Sequence, residues 1–133
     1  MKVIVMGCGR VGSAVAGRLD REGHEVIVID IDPSQFHRLP ADFHGQKLAG
    51  SGFDHRLLLS AGIEQADAFL ALTHGDNRNV LASQIAKHLY GVERVVTRLY
   101  DPFRAELFQR LGLRTFSPTD VGAELAYSAL ASE

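Results

Sequence analysis

The stretch Lys2-Val3-Ile4-Val5-Met6-Gly7-Cys8-Gly9-Arg10-Val11-Gly12 decides the fold. Its apolar run stops at three glycines spaced G-x-G-x-x-G, and a helical pattern takes over from Val11. In such a turn Gly7 permits the tight reversal and Gly9 lets backbone approach a pyrophosphate. Gly12 lets helix and strand pack closely, so that the first helical N–H groups face an anion. A second apolar run, Val26-Ile27-Val28-Ile29, ends in Asp30. That places an acid inside the ~30-residue unit whose second strand closes on a ribose hydroxyl. The two features together predict a nucleotide site.

Working outward, strand-like and helix-like segments alternate to the end of the chain, which is the pattern of a parallel sheet covered on both faces. Strands are expected over 2–6, 25–29, 46–49, 68–72, 94–98 and 114–116. Helices are expected over 11–22, 33–39, 54–61, 76–90, 102–111 and 118–131. Asp54 is placed to cap the third helix, and Asp101-Pro102 and Ser117-Pro118 to open the last two. Gly23, Gly62, Gly91 and Gly112 stand where helices should stop. Right-handed crossovers then give an α/β, Rossmann-like doubly wound six-stranded parallel sheet with helices on both faces. Its strand order switches beside the first strand. The i, i+4, i+8 series Leu81, Ile85, Leu89 and Phe103, Leu107, Leu111 are expected to pack in the core. Val121, Leu125 and Ala129 repeat the spacing on the last helix, which has docking on another subunit as its alternative.

Length and composition bound the function. A chain of 133 residues fits one domain, 1–133, with no linker or solenoid repeat to divide it. The formal net charge of −2 offers no basic footprint for nucleic acid. Apolar runs are far shorter than the ~20 residues a bilayer span needs, and the chain opens on a strand pattern rather than a leader, so no membrane insertion or export is expected. A single cysteine forms no internal disulfide and fits a reducing cytoplasm.

Ligand is expected where the carboxyl ends of the strands converge at the switch point, bringing together Gly7 to Gly12, Asp30 with Ile31, Gly50 to Phe53, and Thr73 to Asn77. Asp30 accepts from ribose hydroxyls and its charge disfavours a 2′-phosphate, hence NAD or adenine nucleotides over NADP. Asp32, before Pro33, reads as a helix N-cap. Arg10 opposes the positive end of the first helix dipole by ~0.3–1 kcal/mol, which a bound phosphate would compensate; a solvated side chain is the plainer alternative. Cys8 reads chiefly as a small residue that fits its loop, although N–H groups and the nearby arginine would lower its thiol pKa. None of the six histidines forms a metal-type pair, and His74 alone falls on a site loop. There is no G-x-S-x-G elbow.

Over nearly its whole length the chain resembles the N-terminal nucleotide-binding (TrkA-N, or RCK-N) domain of RCK/Trk-type regulators of potassium conductance and uptake. The resemblance is carried by Gly7 through Gly12 with its arginine, Val28-Ile29-Asp30-Ile31-Asp32, Ala61 through Ala68, Thr73 through Asn79, and Arg94-Val95-Val96-Thr97-Arg98. Gly50-Ser51-Gly52-Phe53-Asp54 is similar to the actinobacterial type. The resemblance implies a gating subunit, not an enzyme, that binds ATP, ADP or NAD(H), forms a dimer or higher homo-oligomer, and passes the nucleotide state to a membrane potassium transporter from the cytoplasmic side. By position it assigns Gly7, Gly9, Arg10 and Gly12 to the phosphate loop with Cys8 and Val11 between them, Asp30 to the ribose, and Thr73 and Arg98 to the cleft lining. Ser51, with Gly52 and Phe53 after it, stands where many members have an aspartate reaching the adenine edge. Members commonly continue into a C-terminal ligand-binding RCK domain, which is expected to be absent here because the sequence stops after the sixth helix.

Two other functions use the same features. A small NAD-dependent oxidoreductase shares the loop and the acid but needs a second substrate pocket, for which 133 residues leave little material. A nucleotide-dependent assembly module with another partner is the second.

Overall fold

A computed structural model describes residues 1–132. Six parallel strands, β1 (Lys2–Met6), β2 (Glu25–Asp30), β3 (Gln46–Ala49), β4 (Ala68–Ala71), β5 (Arg94–Arg98) and β6 (Arg114–Phe116), form one sheet in the order β3-β2-β1-β4-β5-β6. The order reverses between β1 and β4, so the crevice expected at a topological switch point opens beside the glycine loop. The Rossmann-like architecture read from the sequence is the one observed.

Strand side chains alternate between the faces, and at β1 and β2 both faces are buried, which is why those strands read as unbroken apolar runs. Ile4, Met6, Ile27, Ile29, Phe69 and Val95 pack with Leu58, Ile63, Ala82 and Ala86 in one cluster. Val3, Val5, Val26 and Val28 pack with Cys8, Ala16 and Leu39 in another.

The helices are α1 (Arg10–Arg21), α2 (His55–Ser60), α3 (Asp76–Gln84), α4 (Pro102–Arg110) and α5 (Pro118–Ala131). The expected second helix is a 3-10 helix, Pro33–Arg38, capped by Asp32, whose carboxylate accepts from the Ser34 N–H. The expected fourth helix changes winding: α3 gives way to a π-helical turn over Ile85–Leu89. A short 3-10 turn, Ile63–Gln65, was not signalled. Asp54, Asp101 and Ser117 cap α2, α4 and α5 as their positions predict.

The apolar stripes on α3 and α4 correct the sequence reading at every position but Ile85, which packs against the core as expected. Leu81, Leu89, Phe103, Leu107 and Leu111 are exposed, Phe103 to 76%. The faces turned to the protein carry mainly small or polar residues, Asn79, Ala82, Ser83 and Ala86 behind β4 and β5 and Ala105 on α4, with Val80, Ile85 and Phe108 as the larger side chains among them. Small residues let a helix approach the sheet closely. Further along, α5 has no buried residue, and Val121, Leu125, Tyr127 and Leu130 are exposed. No described helix is long and apolar enough to cross a membrane.

Candidate functional site

The turn after β1 is held by backbone geometry. Gly7 has φ +105°, and a Cβ there would lie 2.9 Å from the Leu72 carbonyl carbon and the Thr73 nitrogen, so both conformation and space require glycine. Its N–H donates to the Ile29 carbonyl at 2.8 Å. Gly12 presses α1 against the Gly7 carbonyl. Gly9 is the N-cap of α1; no side chain caps that end and its first turn holds no acid. The N-terminal N–H groups therefore face outward with the positive end of the helix dipole, the arrangement that binds phosphate.

Asp30, at the end of β2, brackets the loop. Its Oδ2 accepts from the Cys8 N–H at 2.7 Å and its Oδ1 from the Asp32 N–H at 2.8 Å. A carboxylate has about four lone-pair positions, so one on each oxygen remains for a pair of ribose hydroxyls. Cys8 itself turns into the core and is fully buried. Burial, reinforced by the Asp30 charge, pushes its thiol up to about 11. The lowering suggested by its place in the loop is thereby corrected: Arg38 and Lys47 supply the only opposing charge, and it does not prevail.

Across the switch point, Asn79 is completely buried at the start of α3. Its Oδ1 accepts from the Thr73 N–H at 3.0 Å and the Thr73 hydroxyl at 2.6 Å, and its Nδ2 donates to the Thr73 and Arg98 carbonyls, each at 2.9 Å. One amide thus locks the ends of β4 and β5 together beneath the cleft. Arg98 is 4% exposed; its Nη2 meets His74 Nδ1 at 3.0 Å and donates to the Tyr100 hydroxyl, while its buried Nε has no partner among the described residues.

These elements enclose a cleft of about 500 Å³, within the range of small-ligand sites. Of the residues singled out in the sequence, Gly7, Gly9, Asp30, Ile31, Ser51, Gly52, Phe53, Thr73 and His74 line it. Arg10 and Val11 are exposed on the first turn of α1, Gly12 is buried behind the loop, and Arg98 lies behind His74; none of these four, nor Cys8, forms part of the wall. The wall also contains Gln35, Arg38 and Arg78, which were not anticipated. Arg38 closes the 3-10 helix after Asp32, and Arg78 sits on the first turn of α3; following each site loop one turn into its helix would have found them. No cluster of three metal-ligating side chains occurs among the described residues.

The model of the TrkA-N domain family matches residues 3–118. The chain belongs to the TrkA-N family. This TrkA-N chain is 52% identical over 115 residues to the Trk system potassium uptake protein TrkA of Streptomyces coelicolor, which covers 86% of the chain and 52% of that protein. It is 34% identical to the TrkA homolog of Pyrococcus abyssi, covering 98% of the chain and 60% of the homolog. The chain therefore spans about half the length of the curated relatives it matches. Among solved structures, the AMP-bound Kef C-terminal domain of Shewanella denitrificans superposes with a TM-score of 0.82 at 25% identity, over 100% of this TrkA-N chain and 84% of that one. GsuK bound to ADP superposes with a TM-score of 0.81 at 26% identity, over 97% of this chain and 33% of that one, and the GsuK channel bound to NAD gives 0.79.

Proposed function

We propose that this TrkA-N domain is the nucleotide-sensing part of a cytoplasmic regulator of a membrane potassium transporter, and that it is not an enzyme. The observation that carries this reading is the convergence, at one switch point, of the Gly7–Gly12 loop, the uncapped N-terminus of α1 and the Asp30 carboxylate with two free lone-pair positions. The ligand is an adenine nucleotide, ATP or ADP, or NAD(H): phosphates at the loop beside Gly9, ribose at Asp30, and the base toward Ser51, Gly52 and Phe53. Relatives named as potassium uptake proteins, and neighbours solved with AMP, ADP and NAD, support the same assignment.

Regulation requires that two nucleotides favour different conformations or assemblies, because a ligand shifts an equilibrium only by its difference in affinity between states. The exposed apolar residues of α5, together with Phe103 and Leu107 on α4, offer the surface for a second copy of the chain. A homo-oligomer of this kind, docked on the transporter, is the lever in the proposal.

Calorimetry with ATP, ADP, AMP, NAD, NADH and NADP tests the reading directly. Binding of at least one adenine nucleotide is expected, with NADP weaker than NAD. At a hundred times its Kd the bound nucleotide stabilises by ~2.7 kcal/mol, which melting curves resolve easily. No binding across the panel refutes the proposal, and protein-dependent oxidation of NADH by aldehydes, ketones or quinones would move the chain to the oxidoreductases.

A further inference from the structure

The loop after β4 sets one imidazole between the glycine loop and the buried arginine of β5. Arg98 Nη2 lies 3.0 Å from His74 Nδ1. A guanidinium has donors only, so Nδ1 is the acceptor and carries no proton. The Tyr100 hydroxyl, 3.3 Å from the same nitrogen, is held in place by Arg98, whose guanidinium carbon stands 5.0 Å from the Tyr100 ring centroid. Two neighbours thus address Nδ1, and the proton of the neutral ring belongs on Nε2.

That nitrogen faces the phosphate loop. A Cβ on Gly9 would come within 3.5 Å of His74 Nε2, and both residues line the cleft. Nε2 has no hydrogen-bond partner among the described residues, and His74 is exposed. It also lines a second cleft of about 430 Å³ shared with Arg78 and Arg104, so the ring stands at the junction of both. The local acid, Asp76, is committed elsewhere: it accepts from the Tyr100 and Asp101 N–H groups and pairs with Arg104 at 3.9 Å.

We infer that His74 donates its Nε2–H to a phosphate of the bound nucleotide at the Gly9 loop, and that Arg98 is a positioning residue that sets the tautomer making it a donor. The inference rests on the nucleotide-binding reading above. It gives the chain a means of weighing phosphate that the helix N-terminus alone does not supply, because a side-chain donor from the loop after β4 joins the α1 N–H groups at Gly9.

Titrations with adenosine, AMP and ADP on wild type, His74→Ala and His74→Gln test it, together with long-range proton–nitrogen NMR of the free protein. The expected results are an ADP-over-adenosine preference lowered roughly tenfold or more in His74→Ala, largely kept in His74→Gln, whose amide still donates, and unchanged affinity for adenosine. In the spectrum His74 is protonated at Nε2, and Arg98→Met turns it into a mixture of tautomers. A free protein with the proton on Nδ1, an unchanged preference in His74→Ala, or a Gln variant as impaired as the Ala variant overturns the inference while nucleotide binding stands. A wild type that binds none of the three, and none of ATP, NAD and NADH either, removes both.

Discussion

Replacing Asp30 by alanine should lower stability even before any nucleotide is added, because the carboxylate serves the fold as well as the ligand. Two backbone N–H groups lose their acceptor, and they are not equivalent. The Asp32 N–H lies on an exposed residue and regains water, so its loss is nearly neutral. Cys8 is fully buried, and its N–H, now 2.7 Å from Oδ2, is left without a partner. An orphaned buried donor costs about 1–3 kcal/mol. For 133 residues the unfolding entropy near the midpoint is about 0.28 kcal/mol/K, so Tm should fall by roughly 4–11 °C. Calorimetric melting of the ligand-free variant reads this, and titration reads a second effect: the ribose loses charge-assisted bonds worth about 1.5–3 kcal/mol each, hence at least tenfold in Kd. A ligand-free variant that melts within a degree of wild type would refute the bracket role, and unchanged affinity in a folded variant would refute the ribose role.

Two further predictions concern the loop. Gly7→Ala should unfold or strongly destabilise the domain, since its φ of +105° and the 2.9 Å approach to backbone leave no room, whereas Gly9→Ala meets His74 at an ordinary 3.5 Å and should melt near wild type while binding nucleotides more weakly; paired melting and titration check both. For Cys8, a thiol pKa near 11 against an ordinary 9.0 means that the unfolded chain loses the proton first. Stability should therefore fall between pH 9 and about 11 more steeply in wild type than in Cys8→Ala, and at pH 8 a thiol reagent should label the unfolded chain far faster than the folded one.

Much of this protein is legible along the chain. The apolar runs at β1 and β2 are unbroken because both faces of the sheet are covered, so four or five consecutive residues announce a buried parallel strand. The Gly7–Gly12 spacing, Asp30 at a strand end, and the caps at Asp54, Asp101 and Ser117 are equally local, each set by the geometry of a single turn. What periodicity does not record is which stripe of a helix meets the sheet. On α3 the series Leu81, Ile85, Leu89 has the spacing of a core face, but only Ile85 packs on the core; close approach to β4 and β5 goes to Asn79, Ala82, Ser83 and Ala86, and the π-helical turn at Ile85–Leu89 shifts the phase further. Nor does spacing say where a loop side chain turns: Cys8 and Asp30 are 22 residues apart, and only the pairing of β1 with β2 brings the carboxylate onto the Cys8 N–H while the thiol enters the core. The contact of His74 with Arg98 spans 24 residues and exists because β4 and β5 run in register and end together at the cleft. Local rules settle the elements and the turn chemistry; the choice of buried face and the meeting of distant side chains belong to packing, where the competition for space against the sheet is decided by the whole molecule at once.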